Sequence, residues 1–228
     1  MRFGAAPNGT SRFQKPSFPE DAEDPSVLIT ETGNSCYQVR PSSTNVSCSS
    51  NLFAATASGG GPRLGGPLPG NPRGATQSED CLFADLYVPL SAFSNQVPVV
   101  IWIYGGAYIF GAKDAGFTNG MPFYDPKGLM RIAKQTGQEF IFVAGNYRLG
   151  AFGWLAGPTM EQGAAPNAGL WDQRLLMEFV NTYIDSFGGK TSDVSLWGES
   201  AGGGSILHHL TSAITPPPFH RVMVQSPA

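Results

Sequence analysis

The chain has 228 residues, a formal net charge of -3, and 41% hydrophobic against 14% charged residues. That length suffices for one globular domain with a real core, or for a piece of a larger one. The balance describes a soluble, loop-rich protein; no Lys/Arg cluster marks a nucleic-acid surface, and no apolar run of about 18 residues offers a membrane-spanning helix.

The start, M-R-F-G-A-A-P-N-G-T, lacks the apolar core of a signal peptide, so the protein either stays inside the cell or its true beginning is missing. Residues 1–80 are irregular, rich in Pro, Gly, Ser and Asn. They hold two glycosylation sequons, at Asn8 and Asn45, although such tripeptides also arise by chance. The stretch 59–74 (G-G-G-P-R-L-G-G-P-L-P-G-N-P-R-G) is nearly low complexity and reads as a mobile surface loop. Cys36, Cys48 and Cys81 are an odd number, so one internal pair is the most they form and one thiol is left over.

After Cys81 the pattern changes. Residues 82–88 alternate as a strand closed by Pro89, and 99–104 (V-V-I-W-I-Y) form a continuous apolar run, as a strand buried on both faces requires. Residues 129–135 have helical spacing, stopped by Gly137. A second buried strand follows at 140–144. Residues 170–184 place Leu170, Trp171, Leu175, Leu176, Phe179, Val180, Tyr183 and Ile184 on one helical stripe. A short strand from Val194 then runs into G-E-S-A-G, a helix continues to about Leu210, a proline break follows, and 221–225 form a last strand. Strands alternating with helices predict a mostly parallel sheet covered on both faces, with ligands bound beyond the carboxyl ends of its strands.

Two stretches fall at those ends. Gly198-Glu199-Ser200-Ala201-Gly202 is the G-x-S-x-G pattern of a nucleophile elbow, a strand-to-helix turn with serine at its apex. Flanking glycines are needed because the turn is too tight for side chains two residues either side. With 29 glycines in the chain, a chance match is expected roughly once in three such sequences, so context must decide. Gly105, Gly106 and Ala107 follow the first apolar strand as a turn of small residues. Gly189-Lys190-Thr191 imitates the end of a P-loop, but Ile184 stands where its first glycine belongs. No G-x-G-x-x-G follows a strand and no metal-ligand spacing occurs, so no cofactor or metal is expected.

The context is specific. S-E-D-C-L-F-A-D-L-Y-V-P at 78–89, P-V-V-I-W-I-Y-G-G-A-Y at 98–108, N-Y-R-L-G-A-F-G at 146–153, N-A-G-L-W-D-Q-R at 167–174 and F-G-G-K-T-S-D-V-S-L-W-G-E-S-A-G-G at 187–203 occur in one order. With R-F-Q-K-P at 12–16 and the closing V-M-V-Q-S-P-A, they resemble the type-B carboxylesterase/lipase family, the α/β-hydrolase group that includes cholinesterases and fungal lipases. The resemblance implies an α/β-hydrolase fold of three α/β/α layers around a mostly parallel sheet. Residues 1–228 would be the N-terminal part of a single such domain, truncated at both ends, with 36–81 as a loop-rich, Cys-bracketed insertion.

The resemblance also implies roles. Ser200 is the nucleophile of carboxylic ester hydrolysis through an acyl-enzyme; the N–H groups of Gly106, Ala107 and Ala201 form the oxyanion hole, each such donor contributing about 3–4 kcal/mol. Glu199 and Gly105 line the site. Cys36 pairs with Cys81, with Cys48 as the competing partner, and Arg12–Glu79 and Arg148–Asp172 form structural ion pairs. Trp102, Tyr104, Trp171 and Trp197 are core residues. The substrate is a small-molecule or lipid ester, the protein binds no nucleic acid, and the family and sequons favour a secreted location. The base is the difficulty. His208 and His209 lie roughly 12 Å along the elbow helix from Ser200, and His220 begins the last strand. None can take the serine proton, so the histidine and acid of a triad are expected beyond Ala228. The rival readings are an inactive piece and a non-catalytic, cholinesterase-like binding or adhesion protein.

Overall fold

The computed structural model describes residues 1–20, 33–38, 76–114, 123–212 and 217–228. The Gly/Pro-rich stretch 59–74, Cys48 and Asn45 lie outside them. In chain order the strands are β1 (Ser35–Cys36), β2 (Gln77–Ser78), β3 (Ala84–Tyr87), β4 (Val97–Ile103), β5 (Ile141–Gly145), β6 (Gly189–Glu199) and β7 (Arg221–Gln225). The helices are α1 (Lys127–Gln135), α2 (Gly150–Trp154), α3 (Pro158–Glu161), α4 (Ala168–Tyr183) and α5 (Ala201–Thr211).

Strands β3–β7 form one sheet in the order β3-β5-β4-β6-β7. Strand β3 runs antiparallel to β5, and the other neighbours are parallel. Alternation along each strand then builds two layers. Val99, Ile101 and Ile103 of β4, Ile141 and Val143 of β5, and Val194 and Leu196 of β6 face Leu175, Leu176, Phe179 and Val180 of α4 and Ile206 of α5. Val100, Phe142 and Ala144 point the other way, onto Ala133 of α1. A separate two-stranded parallel pair, β1 with β2, carries Cys36 next to its partner segment.

The elements differ from the sequence expectation where polar residues were involved. Strand β6 begins at Gly189, not Val194, because Val97 pairs with Gly189 while Val99 pairs with Val194. The polar residues 190–193 bulge out of the ladder between those pairs. Pro98, which has no N–H to donate, sits opposite this irregularity. On α4 the buried face includes Asp172, Gln173 and Met177, whereas Tyr183 is exposed and Leu170 half-buried. Trp171 is not core either. Half-buried, it lies under Lys15, whose ammonium is 3.7 Å from the ring centroid. Helix α1 ends as expected at Gly137, which has φ +68°: the N–H groups of Gly137 and Gln138 donate to Lys134 and Ala133 carbonyls, a Schellman closure.

Candidate active site

The carboxyl ends of β4 and β6 are adjacent, Ile103 pairing with Gly198. One residue past β6, Ser200 turns the chain at φ 55° and ψ -123°, a strained conformation for a residue with a side chain, and α5 starts at once. The turn is possible because its neighbours are glycines. A Cβ on Gly202 would sit 2.0 Å from the Ile103 carbonyl oxygen, and one on Gly198 would meet the Gly202 backbone at 2.7 Å. Both obstacles are backbone and cannot swing aside. Gly202→Ala is therefore expected to destabilise the protein by about 2–3 kcal/mol, measured as a lower midpoint in thermal or urea unfolding; an unchanged midpoint would show the elbow to be more pliable than this packing implies. The apex is fixed further by the Ser200 N–H donating to Gln225 O at 2.9 Å and the Ala228 N–H donating to Ser200 O at 3.2 Å.

Gly105 brings the other strand end against the serine. A Cβ there would lie 2.9 Å from both Ser200 Cβ and a Glu199 carboxylate oxygen. Gly106 (φ +114°) and Ala107 (φ +52°) then curl the chain back, and the Ile109 and Phe110 N–H groups both donate to Gly106 O. Among the described residues, the Gly106 and Ala107 N–H groups have no acceptor. As the first residue of α5, Ala201 also has an N–H without an intrahelical partner. Ala107 is exposed; Ser200, Glu199 and Gly106 are half-buried. Three N–H groups without an acceptor among the described residues thus lie on the two segments that meet at Ser200. Tyr124, which no motif or periodicity singles out, lies against Glu199 and the Gly105 backbone. Burial, with the Glu199 carboxylate nearby, pushes its hydroxyl up to about 12, and the Gly105 backbone opposes the shift.

The sequence model of the carboxylesterase family matches residues 1–228. The chain belongs to the carboxylesterase family. It is 48% identical over 155 residues to a secreted lipase of Arthroderma benhamiae, covering 65% of this chain and 30% of that protein. It is 34% identical over 256 residues to the carboxylesterase patB of Penicillium expansum, covering all of this chain and 44% of that one. Among solved structures, a PNB esterase superposes with TM-score 0.72 at 31% identity, over 100% of this chain and 39% of its own. The fold is accordingly that of the α/β-hydrolases. This carboxylesterase-family chain spans less than half the length of these relatives.

The other contacts expected from the sequence also form. Cys36 and Cys81 are joined by a disulfide, both buried. Arg12 pairs with Glu79, its Nη2 donating to Oε2 at 2.8 Å. Arg148 pairs with Asp172 in the interior. Tyr104 is fully buried and stacked on Tyr147 with ring centroids 4.4 Å apart; each hydroxyl is held by the other residue's backbone, and burial pushes both phenols up. Trp102 and Trp197 are half-buried against the sheet. Asn8 is exposed before a short 3-10 turn.

The three histidines are elsewhere. α5 is unbroken, so His208 and His209 are roughly 12 Å from Ser200 along its axis. His209 is half-buried with Nε2 2.9 Å from Gln173 Oε1, and burial drives its pKa down to about 4. The His220 N–H donates to Val194 O, six residues before Ser200 on β6, hence roughly 20 Å away. Among the described residues, no group of three His, Cys, Asp or Glu side chains could hold a metal ion.

Proposed function

We propose that this chain carries the nucleophile and the oxyanion arm of a carboxylic ester hydrolase. The observation that carries the reading is Ser200 at a strained elbow, packed on Gly105, with N–H groups of Gly106, Ala107 and Ala201 on the adjoining segments that have no acceptor among the described residues. In the reaction, a base takes the Ser200 proton as Oγ attacks the ester carbonyl. The tetrahedral oxyanion accepts hydrogen bonds from the three N–H groups, the alkoxide leaves with the proton, and water hydrolyses the acyl-serine. Glu199 lines the site. The base and its acidic partner come, on this reading, from polypeptide outside these 228 residues, since none of the three histidines reaches Ser200. The substrate would be a small-molecule or lipid ester, with no cofactor.

The buried disulfide, the exposed sequon at Asn8 and a secreted lipase among the relatives support an extracellular location. The distance of every histidine from Ser200 favours a second reading, a non-catalytic binding protein on the same scaffold. A fluorophosphonate probe, applied to this chain together with the polypeptide that supplies the base, separates the two, because only a serine with a base beside it reacts quickly. The expected outcome is a single phosphonylated peptide containing Ser200, with all labelling lost in Ser200→Ala. A folded protein that stays unlabelled supports the binding reading instead.

A further inference from the structure

We infer that Tyr108 is a positioning residue that latches the oxyanion loop to the elbow helix, so that the N–H groups of Gly106, Ala107 and Ala201 share one rigid frame; the inference rests on the hydrolase reading above. Ala107 and Tyr108 are consecutive non-glycine residues in the left-handed region, at φ +52° and +63°. Such a pair persists only where surrounding contacts impose it. Tyr108 supplies those contacts. Its ring packs on Trp154 with centroids 4.1 Å apart, and its carbonyl accepts the Gly150 N–H at 2.7 Å.

Its hydroxyl crosses to the other arm. It donates to Ala228 O at 3.3 Å and lies beside the Ser205 hydroxyl on α5. Ser205 is itself fixed, receiving Gln173 Nε2 at 3.0 Å and donating to Ala201 O at 2.9 Å, the carbonyl of the residue whose N–H is the third donor. Gly204 makes the crossing possible: a Cβ there would stand 2.4 Å from the Tyr108 hydroxyl oxygen. The run of glycines after the elbow therefore serves two contacts, Gly202 admitting β4 and Gly204 admitting the tyrosine. Phenylalanine would keep the ring on Trp154 and lose only the crossing.

The test uses the chain joined to the polypeptide that supplies its base and compares wild type with Tyr108→Phe by amide hydrogen exchange and by hydrolysis of p-nitrophenyl acetate, with Ser200→Ala as reference; exchange alone decides the latch if the wild type turns over no ester. Loss of one hydrogen bond is expected to speed exchange of the Ile109, Phe110 and Gly150 amides by about tenfold, with the β4 and β5 amides unchanged. Ser200-dependent kcat is expected to fall about five- to tenfold with KM within about twofold, the split that marks weaker transition-state stabilisation rather than weaker binding. A merely structural tyrosine would not produce that split. Unchanged exchange at the three amides overturns the latch. So does an unchanged kcat where Ser200→Ala abolishes turnover. Turnover that survives Ser200→Ala overturns the hydrolase reading instead, and the exchange result then decides the latch alone.

Discussion

Arg148→Ala is expected to lower the free energy of unfolding by about 3–5 kcal/mol, read from the midpoint of urea denaturation. Asp172 is fully buried and accepts three hydrogen bonds from Arg148: from the backbone N–H at 2.9 Å, Nε at 2.8 Å and Nη2 at 2.6 Å. The same guanidinium donates to the carbonyls of Arg12 and Gln14 at 2.8 and 3.0 Å, so one side chain ties the N-terminal segment, the loop after β5 and helix α4 together. Removing it strands a carboxylate in the core. Burial pushes the Asp172 carboxyl upward and Arg148 is what opposes that, so in the variant Asp172 binds a proton when folded that it lacks when unfolded. A folded pKa above the unfolded one gives stability that is lost as pH rises. The deficit of Arg148→Ala should therefore shrink from pH 7 to pH 5. A double-mutant cycle with Asp172→Ala that found no coupling would end this account.

Cys36→Ala with Cys81→Ala should cost about as much. The disulfide spans a sequence separation of 45 residues, and closing a loop of that length contributes about 4 kcal/mol in the chain-entropy treatment. Both sulfurs are in the core, beside Leu82 and Phe3. The check is the unfolding midpoint with and without dithiothreitol: reductant should lower it in the wild-type protein and leave the double variant unmoved. Equal midpoints in the wild type, with the bond shown to be reduced, would mean that the paired strands β1 and β2 hold the loop without it.

What could be read from the sequence was what local sterics and periodicity decide. Strand β7 begins and ends at Arg221–Gln225 as expected, with Val222 and Val224 alternating along it. Strand β5 is displaced by a single residue. The elbow was legible because the demands on Gly198 and Gly202 arise within a few residues of Ser200. The resemblance supplied Arg148 as the partner of Asp172 but not the burial of that pair, since periodicity alone reads a carboxylate as exposed. Gln173 was missed altogether, because its partner, the Ser205 hydroxyl, arrives from another element. Tyr124 and Tyr108 were missed for the same reason: an aromatic in a loop carries no periodicity, and only the fold shows one beside Glu199 and the other reaching α5.

Strand β7 has a ladder partner on one side only among the described residues. Its outer row of N–H and C=O groups is a template on which another extended segment can register. Val222 on that strand is exposed, as are Leu207 and Leu210 on α5, the helix that packs against it. This rim therefore combines unpaired backbone with apolar side chains, and a net charge of -3 spread over the whole surface does little to oppose association there. Changing the salt would screen that charge and leave the rim as it is. What quiets the rim is occupancy of the strand's free side.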